Sequence, residues 1–163
     1  MGMGLRMTLH RISRALVVAC AGIFAMVGMA APALAGPASL DLGQYRGKVV
    51  YVDFWASWCG PCKQSFPFMQ GLAARHPGGD LVVLTVNVDR QRPQADAFLR
   101  QVRNALPVVY DQQGDLAKAW KVADMPTSLV FDRDGKMRFR HQGFFPAKTA
   151  EYEGHINQLL RER

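Results

Sequence analysis

The chain has 163 residues, a formal net charge of +7 at pH 7, 49% hydrophobic residues and 20% charged residues. This composition is that of an ordinary globular protein, and the length suits one domain with a substantial core. The excess positive charge is spread along the chain, which argues against a nucleic-acid partner and favours a solubilising surface charge. The chain has only three cysteines, too few for a small exported domain held together by disulfides.

The first 35 residues have the pattern of an export signal. An arginine-containing start is followed by an uncharged, largely apolar run over residues 15–31, and Ala33-Leu34-Ala35 offers small residues for cleavage. We therefore expect a signal peptide over 1–35 and a domain over 36–163 that works in the periplasm or another extracytoplasmic space. The alternative is a leader retained as an inner-membrane anchor, the only membrane contact we expect.

The segment that defines the chemistry is Cys59-Gly60-Pro61-Cys62. It follows an apolar run typical of a central strand, Val49–Trp55, and starts a segment with helical spacing, Gly60–Arg75. A disulfide in so short a loop removes little entropy from the unfolded chain, so a catalytic dithiol explains the pair better than a structural disulfide. At the start of a helix, Cys59 is favoured as a thiolate and should attack a partner's disulfide. Cys62, one turn later, should resolve the mixed disulfide.

A zinc site is the main alternative for a Cys-x-x-Cys pair, but it needs two more ligands. Three histidines follow the leader, and we expect each to be an isolated surface residue because they lack ligand spacing: His76, His141 and His155. We therefore expect no metal and no other cofactor. The redox-active group would be the Cys59–Cys62 pair itself.

Asp53 is out of place inside an otherwise apolar strand, because burial disfavours a carboxylate. Burial should also raise its pKa, which makes Asp53 a candidate proton shuttle for Cys62. The alternative is a carboxylate at a frayed edge, bonded to backbone or water. Of the neighbouring aromatic residues, we expect Phe54 in the core, Trp55 packed beside the dithiol and Trp58 at the substrate rim.

The remaining pattern predicts an α/β layer fold with a mixed central sheet flanked by helices. A proline cannot donate within a strand, so Pro126 should stand at the start of one, where a cis Met125–Pro126 bond is compatible with the sequence. We expect further strands at Leu81–Val88, Pro107–Tyr110, Thr127–Phe131 and Met137–Gln142, and further helices at Arg92–Asn104, Gly114–Val122 and Ala147–Leu160.

These residues resemble the thioredoxin superfamily. The segment 52–63 is similar to its active-site signature, Pro67 to its helix proline, and Met125-Pro126-Thr127 to its cis-proline loop. The resemblance covers 48–161 and implies a thioredoxin-like fold with a cis bond before Pro126. Together with the positions around the dithiol, it implies these substrate-binding residues: Trp58, Gly60, Pro61, Met125, Pro126 and Thr127.

The export leader and an inserted helix-strand segment, Arg92–Tyr110, are more similar to the extracytoplasmic TlpA/ResA-type thioredoxins than to the cytosolic ones. This implies protein disulfides or dithiols as substrates and a membrane electron donor. Ser65 stands where many of that group carry an acidic residue, which weakens a role in cytochrome maturation. Thr85 stands where cytosolic thioredoxins place a lysine near the buried aspartate. The lead-in before Lys48 is short, so we do not expect the N-terminal hairpin that is common in the group.

The Gly-Pro spacer between the cysteines is the type found in reductants, so we predict an exported thiol:disulfide oxidoreductase acting as a reductase of protein disulfides. A disulfide oxidase or isomerase, or a cytochrome-maturation reductase, is the alternative within the same chemistry. A non-catalytic binding or metal-delivery module of the same fold is an alternative of another class. Such a module would need neither both cysteines nor Asp53.

Overall fold

A computed structural model describes residues 40–162, and the predicted leader lies outside them. The strands are β1 Val49–Trp55, β2 Leu81–Asn87, β3 Val108–Tyr110, β4 Thr127–Phe131 and β5 Met137–Gln142. The helices are α1 Gly60–Arg75, α2 Arg92–Gln101, α3 Asp115–Ala119 and α4 Thr149–Arg161, with short 3₁₀ turns at Gly43–Tyr45 and Pro146–Lys148. Within this part of the chain, no helix is both long enough and apolar enough to cross a bilayer.

The strands form one sheet in the order β3-β2-β1-β4-β5. β1 pairs in parallel with β2 and antiparallel with β4, while β3 is parallel to β2 and β5 antiparallel to β4. The predicted mixed sheet with flanking helices is therefore confirmed. β1 lies at its centre and every one of its residues is buried, which explains why this strand is an apolar run rather than an alternating one.

Three of the helices have bounds that differ from the predicted ones. α2 ends before Asn104 because Arg103 takes a left-handed conformation, with φ of 51°. α3 is shorter at both ends because Gly114 before it and Lys121 after it also have positive φ, 76° and 52°. α4 begins two residues late because a 3₁₀ turn opened by Pro146 precedes it.

Side chains on the sheet pack into two hydrophobic clusters. One cluster joins Tyr51 and Trp55 of β1 to apolar residues of α1, α2 and α4. The other joins Val52 and Phe54 of β1 to Leu116 of α3 and to residues of β4. Phe54 is a core residue, as predicted. The alternation along β1 sends successive side chains into different clusters, so Asp53 shares a face with Tyr51 and Trp55.

The inserted segment Arg92–Tyr110 packs on the sheet. Its strand, β3, extends the sheet edge beyond β2. Its helix, α2, stacks Phe98 against the Trp55 ring with centroids 4.9 Å apart, and Phe98 also meets Phe66 of α1 at 5.4 Å. Phe66 also contacts the Trp55 ring, at 5.2 Å, so the three rings form one aromatic cluster around the last residue of β1.

Candidate active site

The two cysteines lie where β1 turns into α1. The residues Ala56–Cys59 form a turn closed by a hydrogen bond from the Cys59 amide to the Ala56 carbonyl at 3.1 Å. Cys59 caps α1, and its Sγ accepts a hydrogen bond from the Cys62 amide at 3.1 Å. The pair is joined by a disulfide with 5.3 Å between Cα atoms. The first turn of α1 carries no acidic residue, so the positive end of the helix dipole acts on the Cys59 sulfur unopposed.

The two sulfurs differ in accessibility. Cys59 keeps 5% of its surface exposed, whereas Cys62 has 0%. Beside Cys59, Trp58 is 70% exposed, and Gly60 and Pro61 are exposed as well. Cys59 is therefore the more accessible of the two sulfurs, beside an exposed surface made of Trp58, Gly60 and Pro61. The order of attack, with Cys59 first, stays a prediction.

The segment 125–127 lies at the same end of the sheet as the dithiol. The register pairs Thr127, the first residue of β4, with Phe54 near the end of the antiparallel β1. The Met125–Pro126 peptide bond is cis, as the resemblance implied. The Thr127 hydroxyl donates to the Asp124 carbonyl at 2.7 Å, and the Gly143 amide donates to the Pro126 carbonyl at 2.8 Å. Pro126 is buried and Met125 half-buried, so the loop is fixed from both sides.

Asp53 is buried in the middle of β1, and its Oδ2 atom has no hydrogen-bond partner. Burial raises its pKa well above the usual value, and the Ser65 hydroxyl partly offsets this. In the structure the Ser65 hydroxyl donates its proton to the Cys62 carbonyl at 3.0 Å, within the first turns of α1. The alternative of a frayed edge is wrong, because β1 is the central strand.

Thr85 is the β2 neighbour of Asp53 in the parallel register. Its hydroxyl donates to the Pro107 carbonyl at 3.1 Å, so it is engaged with the inserted segment. The position that carries a lysine in cytosolic thioredoxins is thus neutral here. Any proton exchange of Asp53 must proceed without a cation at this position.

The prediction that the histidines are isolated surface residues is wrong for His141 and His155. His141 is buried, with Nδ1 3.2 Å from the Ser128 hydroxyl and Nε2 3.0 Å from His155 Nδ1. The alternation along β5 turns His141 inward together with the partly buried Phe139, and this period of two was the signal in the sequence. In the part of the chain described here, no three acidic, histidine or cysteine residues are grouped to hold a metal.

Acidification should destabilise the fold through His141. Burial, followed by the neighbouring His155, lowers the pKa of His141 from 6.5 to about 4. The unfolded chain therefore binds the proton more readily, and stability is lost as the pH falls from 6.5 towards 4. We expect this group to cost on the order of 2 kcal/mol of unfolding free energy across that window.

Urea unfolding of the oxidised protein between pH 4 and pH 7 measures this effect as the difference between the wild type and His141→Gln. The half-buried His76 provides the control, since His76→Gln should keep the wild-type pH dependence. An identical decline in the wild type and His141→Gln would contradict the assignment.

A second buried acid, Asp89, lies two residues beyond the end of β2 and was not predicted. Its carboxylate accepts hydrogen bonds from the Ser57 amide at 2.9 Å, the Ser57 hydroxyl at 2.9 Å and the Asn87 side-chain amide at 2.7 Å. The signal in the sequence was the position of Asp89 just after a predicted strand. The carboxyl ends of adjacent parallel strands meet at one edge of the sheet, so a residue after β2 lies near the dithiol that follows β1. Asp89 therefore holds the turn that precedes Cys59.

The fold and the site define a thioredoxin-like protein with a Cys-Gly-Pro-Cys redox pair. The chain belongs to the Redoxin family, whose family model matches residues 26–156. A solved structure from Chlorobium tepidum, assigned as thiol:disulfide interchange protein DsbE, is 42% identical and has a TM-score of 0.71, covering 73% of this chain and 84% of that one. The structure of StoA from Bacillus subtilis is 26% identical with a TM-score of 0.58, covering 66% and 82%.

Among curated relatives, thiol-disulfide oxidoreductase ResA of Bacillus subtilis (strain 168) is 29% identical over 98 residues, which cover 60% of this chain and 55% of that protein. The ResA of Geobacillus thermodenitrificans (strain NG80-2) is 32% identical over 97 residues, 60% and 56% of the two chains. The chain thus spans less than two thirds of the length of these relatives. The resemblance to TlpA/ResA-type thioredoxins is confirmed.

Proposed function

We propose that this protein is an exported thiol:disulfide oxidoreductase that reduces disulfides in protein substrates. The observation that carries the proposal is the arrangement of one accessible sulfur, Cys59, above a buried sulfur, Cys62, and a buried carboxyl group, Asp53. Two relatives whose names state thiol-disulfide oxidoreduction support the same chemistry. The reductive direction rests on the Gly60-Pro61 spacer.

In the proposed reaction the Cys59 thiolate attacks one sulfur of the substrate disulfide. A mixed disulfide forms, and the other substrate sulfur leaves as a thiolate that takes a proton from solvent. The Cys62 thiol then gives its proton to the Asp53 carboxylate and attacks the Cys59 sulfur. The Cys59–Cys62 disulfide forms, the second substrate thiolate leaves, and two electrons have passed from the protein to the substrate.

The substrate-binding surface in this proposal is the rim around Cys59 together with the 125–127 loop. Trp58 offers an exposed aromatic face, and Gly60 leaves room for a substrate backbone, since a Cβ added there would meet no atom within 4 Å. Met125, Pro126 and Thr127 complete the surface. To act repeatedly, the oxidised pair must receive two electrons, for which we propose a membrane electron donor facing the extracytoplasmic space.

The midpoint potential of the Cys59–Cys62 couple tests the direction. We expect a value near that of thioredoxin, about −270 mV, and far from the value of about −120 mV found for a dedicated periplasmic oxidant. Equilibration of the protein with dithiothreitol buffers, followed by quantification of free thiols, gives the potential. A value near the oxidant's would replace the reductase proposal by that of a disulfide oxidase.

Export is a separate part of the proposal and rests on the residue pattern of 1–35. Expression of the full chain in a Gram-negative host, followed by fractionation and mass spectrometry, should find a periplasmic protein that begins at Gly36. A protein found in the membrane fraction with residues 1–35 still attached would indicate an anchored form. A protein found in the cytoplasm with these residues still attached would contradict export.

A further inference from the structure

Asp89 differs from Asp53 in what surrounds it, although both carboxyl groups are buried near the same end of the sheet. Asp89 is 1% exposed, and its carboxylate accepts hydrogen bonds from the Ser57 amide, the Ser57 hydroxyl and the Asn87 side-chain amide. The Asp89 amide in turn donates to the Asn87 side-chain oxygen at 3.2 Å. A buried carboxylate that accepts several hydrogen bonds holds its donors in place rather than moving a proton.

The group that Asp89 holds is the turn Ala56–Cys59. Within that turn, the one backbone hydrogen bond is from the Cys59 amide to the Ala56 carbonyl. Ser57 is the second residue of the turn, and Asp89 binds both its amide and its hydroxyl. The ends of β1 and β2 are also joined next to this turn, because the Val88 amide donates to the Trp55 carbonyl at 3.0 Å. The turn is therefore attached to β2 on its inner side, while Trp58 faces outward.

We propose that Asp89 is a positioning residue for thiol exchange, which acts through Ser57 to hold Trp58 and Cys59 in one orientation towards the disulfide of a protein substrate. This inference rests on the proposed function and extends it to a residue outside the dithiol. A turn fixed in advance loses little conformational entropy when a substrate docks, and the attacking sulfur is already aligned. The benefit should be greatest for a large substrate that contacts Trp58, and small for a disulfide that needs no docking surface.

The test compares two disulfides as substrates of the reduced protein. Insulin presents disulfides on a polypeptide, while bis(2-hydroxyethyl) disulfide is a small molecule. In Asp89→Asn, an amide group replaces one of the two acceptor oxygens, so the hydrogen bonds that this oxygen accepts are lost and the attachment of Ser57 is weakened. We expect kcat/KM for insulin to fall about tenfold to a hundredfold, the range that a lost buried hydrogen bond supports, and the rate with the small disulfide to change by less than about threefold.

A second pair of variants keeps the test meaningful if Asp89→Asn folds poorly. Ser57→Ala removes only the hydroxyl contact and should show a smaller loss on insulin, whereas Ser57→Thr keeps a hydroxyl and should restore the rate. Because both residues act on one contact, Asp89→Asn should cost less in the Ser57→Ala background than in the wild type. Amide hydrogen exchange should accelerate at Ser57 in Asp89→Asn and stay unchanged in the middle of β1.

The outcomes separate the two proposals. A wild-type protein that reduces neither disulfide would count against the reductase function. If the wild-type protein reduces both disulfides and the rate of Asp89→Asn falls by the same factor with both, the positioning role is overturned. The effect would then lie in the chemistry at Cys59 or in global stability. An unchanged exchange rate at Ser57 in Asp89→Asn would overturn it as well.

Discussion

A Cys62→Ser variant is expected to accumulate covalent complexes with its protein substrates. In the proposed reaction Cys59 attacks first, and Cys62, one turn later in α1, releases the product. A serine hydroxyl cannot form the second disulfide, so the mixed disulfide should persist and turnover should fall roughly a hundredfold or more. Non-reducing electrophoresis of an extract treated with the variant would show bands that disappear on reduction.

The control is Cys59→Ser, which leaves the thiol of Cys62 intact but buried. Because Cys62 has no exposed surface, this variant should lose activity without forming complexes. Mass spectrometry of the captured species would identify the substrates directly. If Cys59→Ser captures partners as well as Cys62→Ser does, the order of attack is the reverse of the one proposed here.

The parts of the fold that follow from local sequence are correctly predicted. The bounds of β1, β4, β5 and α1 agree residue for residue with the expectations. Strands and helices of this kind are specified by short-range periodicity and by turn residues, both of which are visible in the chain. The dithiol lies at a strand-to-helix junction for the same reason: β1 and α1 are adjacent in the sequence.

The contacts that sequence reasoning missed join distant parts of the chain. Ser57 and Asp89 are separated by 32 residues, and His141 and His155 by 14. Such pairs depend on strand register and on which helix face meets the sheet, and neither is encoded in a local pattern. The period of two along β5 indicates that His141 faces inward, but only the pairing of β5 with β4 places it beside Ser128.

Asp53 and Asp89 show how buried residues of one type can differ in their surroundings within one fold. Asp53 has an oxygen atom without a partner, so its charged form is poorly solvated and its proton is held tightly. Asp89 instead accepts hydrogen bonds from three donor groups and connects them to one another. We therefore assign proton exchange to Asp53 and the positioning of the turn before Cys59 to Asp89.

Replacing Asp53 by asparagine is expected to stabilise the oxidised protein at neutral and alkaline pH. Burial raises the pKa of Asp53 above its unfolded value of 3.8, so the folded state binds the proton more tightly than the unfolded chain does. Stability is thus greatest below pH 3.8 and is lost as the pH rises towards the folded pKa. Asp53→Asn carries no charge and should escape this loss, with a gain on the order of 1–3 kcal/mol at pH 8.

The same substitution should slow the chemistry. Without the carboxylate, the Cys62 thiol has no buried proton acceptor, so release of the mixed disulfide should slow by about a hundredfold while the first attack by Cys59 is nearly unchanged. Urea unfolding at pH 4 and pH 8 measures the change in stability, and rapid acid quench of the reaction with a peptide disulfide measures the release of the mixed disulfide.

Asp89→Asn is the matched control, because losing a carboxylate that accepts hydrogen bonds from three donors should lower the stability at pH 8. If Asp53→Asn and the wild type have equal stability at both pH values, the carboxyl group of Asp53 is not held in its protonated form by burial.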